Sequence, residues 1–264
     1  MIDGKGSDSA VEVVELLALA TLAAREAGRF LRSGPRRDAP RVAESRRDVR
    51  LEADRVAEDR IVNVLAEGPP IPIVAEERVT DGAAPPTAGL RWIVDPLDGS
   101  VNYLQGIPFC CVSVALWRDD DPLAAAVYDF DRDELFTALV GDGAWLNGTA
   151  VHVRSTPQDR AVLCTGFPVG TDFTAVALSG FVRQVREFRK IRMFGSAALS
   201  LAYVAAGRAD AYFERDIRIW DVAAGLALVR AAGGEFVCAP SAVPHAWTVY
   251  AHGGACHDLE PALG

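Results

Sequence analysis

The chain has no apolar run near the roughly 20 residues a membrane-spanning helix needs, so no membrane span is expected. Its first ten residues, MIDGKGSDSA, lack a basic segment followed by an apolar one. No secretory signal is read there, and a cytoplasmic location is expected. Cysteine is scarce and odd in number. Cys110, Cys111, Cys164, Cys238 and Cys256 form no C-x-x-C pair, which argues against a disulfide scaffold or a structural zinc site. The four histidines, His152, His245, His252 and His257, fall at no metal-ligand spacing and offer no good general base. Positive charge is also in deficit, with 27 Lys and Arg against 36 Asp and Glu, a formal net charge of -9. Such a balance lacks the basic face of a nucleic-acid binder, so nucleic acid is not expected as the main ligand.

What is present supports a packed α/β protein. Of 264 residues, 50% are hydrophobic and 24% charged, enough to bury a sizeable core. Apolar residues at Val11, Val14, Leu17, Ala18 and Leu22 keep a helical period over 9–33, which Ser33-Gly34-Pro35 ends. An arginine-rich loop follows to about Arg47, then a helix over 49–66 and a short strand over 71–75 that delivers Glu76 and Glu77. A loop is read over 81–88, and strands over 90–94, 110–117, 124–129 and 135–140. Asp119 to Pro122 and Gly141 to Gly148 are read as turns between them. Beyond Val151 the pattern predicts strands over 161–165, 190–193, 209–214 and 235–238, with helices over 172–187, 196–206 and 220–232. The boundary near 150 divides an N-terminal α+β half, 1–150, from a C-terminal α/β half, 151–264. Strands and helices in both predict one layered unit.

The stretch Val94-Asp95-Pro96-Leu97-Asp98-Gly99-Ser100 is where chemistry is expected. Two carboxylates at a strand end can hold divalent cations, while the next backbone N–H groups face an anion. An acidic protein repels an anionic substrate unless bound cations invert the local field. Cations beside an anion cradle suggest chemistry on a phosphate ester. Three more acidic elements accompany it: Asp54 within a predicted helix, Glu76-Glu77 at a strand end, and Asp221 opening a helix. Singly, each reads as a turn, a solvated surface or a first-turn acid. Their joint occurrence, three of them at element ends, points to a site.

These residues carry a resemblance. Ile93 to Tyr103 resembles the DP(I/L)DGT-x-NF signature of the inositol monophosphatase family, and Trp220-Asp221-Val222-Ala223-Ala224-Gly225 resembles its WDxAAG signature. Asp48 and Asp54 keep the spacing of its D-x-V-T-x-x-D segment. Val74 to Glu77 resembles its strand-GEE step, and Gly195-Ser196-Ala197-Ala198 its G-(S/T)-A-A turn.

The resemblance implies an α/β/α/β/α sandwich and Mg²⁺-dependent hydrolysis of a phosphate monoester, with two or three ions. By resemblance, Glu76, Asp95 and the Leu97 carbonyl would hold the first ion. Asp95, Asp98 and Asp221 would hold the second, and Glu76 a third, with Asp54 nearby through water. Oxygen-only ligation suits Mg²⁺. Two cations roughly 3.5–4 Å apart clamp the attacking and leaving oxygens of an in-line displacement, so no phospho-enzyme is required. Glu77 and the Ser100 hydroxyl would orient the attacking water and take its proton. The N–H groups of Gly99 and Ser100 would hold the phosphate, and Gly195, Ser196, Ala197 and Glu214 would face the alcohol. Trp220 is read as packing.

The substrate this implies is myo-inositol 1-phosphate or a related cyclitol or sugar phosphate. A histidinol-phosphate or 3′-phosphonucleotide phosphatase on the same core is the alternative, and a non-catalytic protein-binding member a further one. Lithium inhibition and a homodimer follow from the same likeness. Three positions depart from the pattern: Ser100 stands for the usual threonine, Leu51 for the threonine of the D-x-V-T segment, and Ala43 where a loop lysine is common.

Overall fold

The computed structural model describes residues 5–44, 49–78, 88–168, 170–176, 178–254 and 256. Asp48, the Arg46-Arg47 pair, His257 and most of the predicted 81–88 loop lie outside them.

Helix α1 (Lys5–Ser33) is long because its apolar positions recur at helical spacing: Leu16, Ala20, Ala23, Ala24, Ala27 and Leu31 are all buried. Strands β1 (Arg41–Glu44) and β2 (Val49–Leu51) pair as an antiparallel ribbon. The helix predicted from residue 49 therefore begins only at Glu52, as α2 (Glu52–Leu65). The reason is local: the Asp54 carboxylate accepts the Leu51 N–H at 2.7 Å, which caps the helix there and leaves Val49–Leu51 extended.

A seven-stranded sheet follows: β3 (Ile73–Ala75), β4 (Leu90–Asp98), β5 (Cys111–Arg118), β6 (Asp121–Asp129), β7 (Glu134–Leu139), β8 (Gly143–Leu146) and β9 (Thr149–Val151), in that spatial order. Only β3 and β4 are parallel neighbours. Short helix α3 (Ser100–Gln105) leaves the end of β4. The predicted turn over 141–148 contains β8, a strand too short and too flanked by glycine to register as one. Strand β5 is mostly apolar, Ser113 and the terminal Arg118 apart, because both its faces are covered. Cys111, Ala115 and Trp117 point to one side, and Val112, Val114 and Leu116 to the other, against α1 and α2.

The second sheet has the order β11-β10-β12-β14-β13, with β10 (Val162–Thr165), β11 (Lys190–Arg192), β12 (Ala211–Ile217), β13 (Glu235–Pro240) and β14 (Trp247–His252). Strand β14 was not anticipated; prolines and a histidine around it hide its pattern. Helix α4 (Ser179–Glu187) starts seven residues later than the sequence pattern predicts. Asp172 takes the Thr174 N–H at 2.9 Å and the Thr174 hydroxyl at 3.0 Å, an Asx turn that competes with helix.

Helices α5 (Ala197–Ala205) and α6 (Ile219–Ala231) lie between the two sheets. Apart from Asp221 in its first turn and Arg230 in its last, helix α6 is apolar all round, as a helix walled by its neighbours must be. Its Gly225 permits the close crossing, since a Cβ there would sit 2.3 Å from the Leu201 side chain. With α1 and α2 outside the first sheet and α4 beside β11, the layers run α/β/α/β/α, as expected from the resemblance. No described helix is long and apolar enough to cross a membrane.

Candidate active site

A β-bulge builds the centre of the site. In a regular strand, residues three apart face opposite sides of the sheet. Asp95 pairs with Ser113 and Asp98 with Cys111, so three steps on β4 match two on β5. The extra residue falls at Pro96-Leu97, where proline has no N–H to give the ladder. Asp95 and Asp98 therefore share one face. Leu97 turns to the other face, into the core with Val94 and Tyr103.

The carboxylates are held individually. Asp95 Oδ1 accepts the Leu97 N–H at 2.9 Å. Asp98 Oδ2 accepts the Ser196 hydroxyl at 2.6 Å and the Ala198 N–H at 2.7 Å, both from the first turn of α5. Asp221, at the third position of α6, takes the Arg218 N–H at 3.2 Å. The Ser100 hydroxyl donates to the Leu97 carbonyl at 3.0 Å, so its own lone pairs remain available.

One cavity, of about 710 Å³, brings together Glu76, Asp95, Leu97, Asp98, Gly99 and Ser100 from the first half of the chain. Gly195, Ser196, Ala197, Glu214 and Asp221 join its wall from the second half. Asp54 and Glu77 are not in that wall. Asp54 caps α2, and the buried Glu77 carboxylate pairs with Arg55 at 3.6 Å. Ser196 also caps α5, accepting the Leu199 N–H at 3.3 Å. Trp220 is mostly buried in the central core, as read from the sequence, and reaches the cavity wall at its edge.

The electrostatics of this wall are one-sided. Six lining residues are acidic (Glu76, Asp95, Asp98, Glu214, Asp216, Asp221), and Arg218 is the one lining cation among the described residues. Burial pushes the Asp95 carboxyl well above the usual range, and the charges of Glu76, Asp98 and Asp221 push it further. Asp221 is raised likewise, by burial and then by Glu76, Asp98 and Glu214. Burial raises Asp98 to about 6, against the Ser196 hydroxyl and the backbone N–H groups around Ala198, which favour its charged form. Glu214 rises to about 7 by burial, although the Tyr212 hydroxyl donates to it at 2.7 Å.

Negative groups crowded in this way favour a cation. The donors are oxygens only, which fits a hard ion such as Mg²⁺ rather than zinc. Among the described residues, no three acidic, histidine or cysteine side chains yet close around a single point as a cage.

Several contributors escaped the sequence reading. Glu58, buried on α2, accepts the Glu77 N–H at 2.9 Å and Arg78 Nε at 3.0 Å, and so anchors the Glu76-Glu77 turn. Its place one helical turn after Asp54, on the buried face, was the available signal. Tyr212 orients Glu214. Gly166 backs the Glu214 carboxylate so closely that a Cβ would lie 2.6 Å from it. Nothing local in the sequence marks Gly166, whereas the period of two along a strand puts Tyr212 on the same face as Glu214.

The chain resembles known proteins over most of its length. Residues 12–260 match the model of the inositol monophosphatase family. Over 191 residues the chain is 44% identical to an inositol-1-monophosphatase of Rhizobium meliloti, covering 69% of each chain. It is 43% identical over 200 residues to the Nus factor SuhB of Xylella fastidiosa, covering 75% of this chain and 71% of that one. Among solved structures, the inositol monophosphatase from Anabaena superposes with a TM-score of 0.79 at 32% identity, over 92% of both chains. Two long motifs in the right order, a shared fold and a match across nearly the whole sequence lead to one conclusion: the chain belongs to the inositol monophosphatase family, a family of phosphoric monoester hydrolases.

Proposed function

We propose that this protein hydrolyses a phosphate monoester of a polyol with the help of Mg²⁺, the favoured substrate being myo-inositol 1-phosphate or a related cyclitol or sugar phosphate. The observation that carries the reading is the meeting of Glu76, Asp95, Asp98 and Asp221, from both halves of the chain, on one acidic cavity wall. Glu76, Asp95 and the Leu97 carbonyl would form one oxygen-donor set, and Asp95, Asp98 and Asp221 would form a second by drawing in around a bound ion. Glu76 can also serve a third, weaker site, with Asp54 nearby.

When bound, divalent cations supply a water of lowered pKa and offset charge on the leaving oxygen. The chain does the rest. The N–H groups of Gly99 and Ser100 cradle the phosphate oxygens and hold the ester in line. The Ser100 hydroxyl, whose proton is committed to the Leu97 carbonyl, accepts a hydrogen bond from the attacking water and fixes its direction. Glu77, next to Glu76 on the same turn, would accept that water's proton by leaving Arg55 and turning toward the cavity.

On the alcohol side, Glu214 accepts hydrogen bonds from ring hydroxyls, while Gly195, Ser196 and Ala197 form the facing wall. A buried carboxylate facing the alcohol favours a polyol over an apolar leaving group. Homodimerisation belongs to the same proposal on family likeness, and sedimentation analysis checks it.

The decisive test is Asp98→Asn, assayed for phosphate release from myo-inositol 1-phosphate with Mg²⁺. The change is isosteric, and turnover should fall by roughly a hundredfold or more, the scale on which one lost electrostatic group tells in a reacting site. Undiminished turnover in that variant would sink the metal-carboxylate mechanism.

A further inference from the structure

We infer that Asn102 is a positioning residue that sets the gap between the phosphate cradle and the alcohol-facing turn. Asn102 sits on α3, two residues beyond Ser100, and its Nδ2 donates to two carbonyls: Phe109 at 2.8 Å and Phe194 at 2.7 Å. Phe109 precedes β5 in the first half of the chain, and Phe194 immediately precedes Gly195 in the second. Both partners are acceptors, so the amide orientation is fixed and both Nδ2 protons are used.

Three further contacts make this a tight junction. The Phe109 and Phe194 rings stack at 4.5 Å between centroids. Gly195 lies against the Asn102 amide, where a Cβ would come within 3.0 Å of Nδ2. Gly99 faces the Gly195 carbonyl, which a Cβ on Gly99 would approach to 3.1 Å. Both glycines have positive φ, 93° and 80°, so the chain bends into the junction from each side.

Ser196 and Ala198 grip Asp98 through their own hydrogen bonds. Asn102 instead fixes the other arm of that turn, through Phe194. It governs how far Gly195 and Ala197 stand from Gly99 and Ser100. A substrate that touches both sides depends on that spacing, whereas one held by its phosphate alone does not. The kinetic consequence rests on the phosphomonoesterase reading above; the structural one does not.

The test uses Asn102→Ala and Asn102→Asp, the second placing an acceptor against two carbonyls. In metal-free protein, Asn102→Ala should speed amide hydrogen exchange at 195–198 by about tenfold or more, leaving α1 and α2 as they are. With Mg²⁺, KM for myo-inositol 1-phosphate should rise about tenfold with kcat within about threefold, while both constants for phenyl phosphate stay within about threefold. Unchanged exchange at 195–198 overturns the inference, and so do proportionate losses on both substrates, the mark of a purely structural role. If the wild-type protein hydrolyses neither ester, the functional reading fails and the exchange result alone decides the role of Asn102.

Discussion

The Ser196 hydroxyl donates to the Asp98 carboxylate over 2.6 Å, joining residues 98 positions apart and from opposite halves of the chain. That bond holds Asp98 in its charged form against the burial that raises it to about 6. Ser196→Ala removes it. A hydrogen bond to a charged group contributes roughly 1.5–3 kcal/mol, so the Mg²⁺ concentration for half-maximal phosphate release should rise by about tenfold or more. Titration of activity against Mg²⁺ reads this directly, and an unchanged midpoint would show that Ala198 alone suffices.

Glu58→Ala leaves the Glu77 N–H without its acceptor and Arg78 without its buried partner. A buried donor stripped of its acceptor costs about 1–3 kcal/mol. Urea unfolding should show a loss of that size. Activity should fall as well, because the Glu76-Glu77 turn loses its anchor to α2.

Gly166→Ala tests the alcohol side without replacing any acid. The added methyl meets the Glu214 carboxylate at 2.6–2.8 Å and must displace it. KM for a polyol phosphate should rise by roughly tenfold or more, the size of a lost hydrogen bond to a charged group. Phenyl phosphate should be turned over nearly as before. Equal effects on both substrates would remove Glu214 from the alcohol subsite.

Metal-free protein should lose stability as pH rises. The folded state raises Asp98 to about 6 and Glu214 to about 7, above their ordinary values. A carboxyl raised on folding stabilises the fold below its unfolded value, and that contribution is lost as pH climbs through the folded one. With chelator present, Tm should therefore fall between about pH 4 and 7, most steeply between the ordinary and the shifted values. Glu214→Gln should flatten the upper part of the fall. Added Mg²⁺ should restore Tm chiefly at the alkaline end, where the ligands are charged.

Much of this was legible in the sequence, and the parts that were not share a cause. Asp95, Asp98 and Asp221 were readable because each sits in a contiguous motif at the end of an element. The layered α/β architecture was readable because periodicities of two and 3.6 are local properties. Glu58 and Gly166 act across pairings that no local window contains, whereas Tyr212 reaches Glu214 from two residues away on the same strand. Asn102 lay within a quoted motif, yet its two carbonyl partners are residues 109 and 194, one of them from the other half of the chain. The late start of α4 and the extended Val49–Leu51 both follow from single aspartates, Asp172 and Asp54, taking backbone donors. Hydrophobic spacing is blind to such competition.

The bulge at Pro96-Leu97 makes this part of β4 sensitive to length as well as to composition. Asp95 is held in register by Ser113, and Asp98 by Cys111, with one residue more between the acids than between their partners. Deleting a single residue there would leave the two acids two apart on one face of a regular strand, but without the bulge that turns Leu97 into the core beside Val94 and places it in the cavity wall. Pro96 gives no N–H to the ladder, and Leu97 is buried in the core. An insertion or deletion at the same point would disturb the donor set while leaving every acidic residue in the sequence.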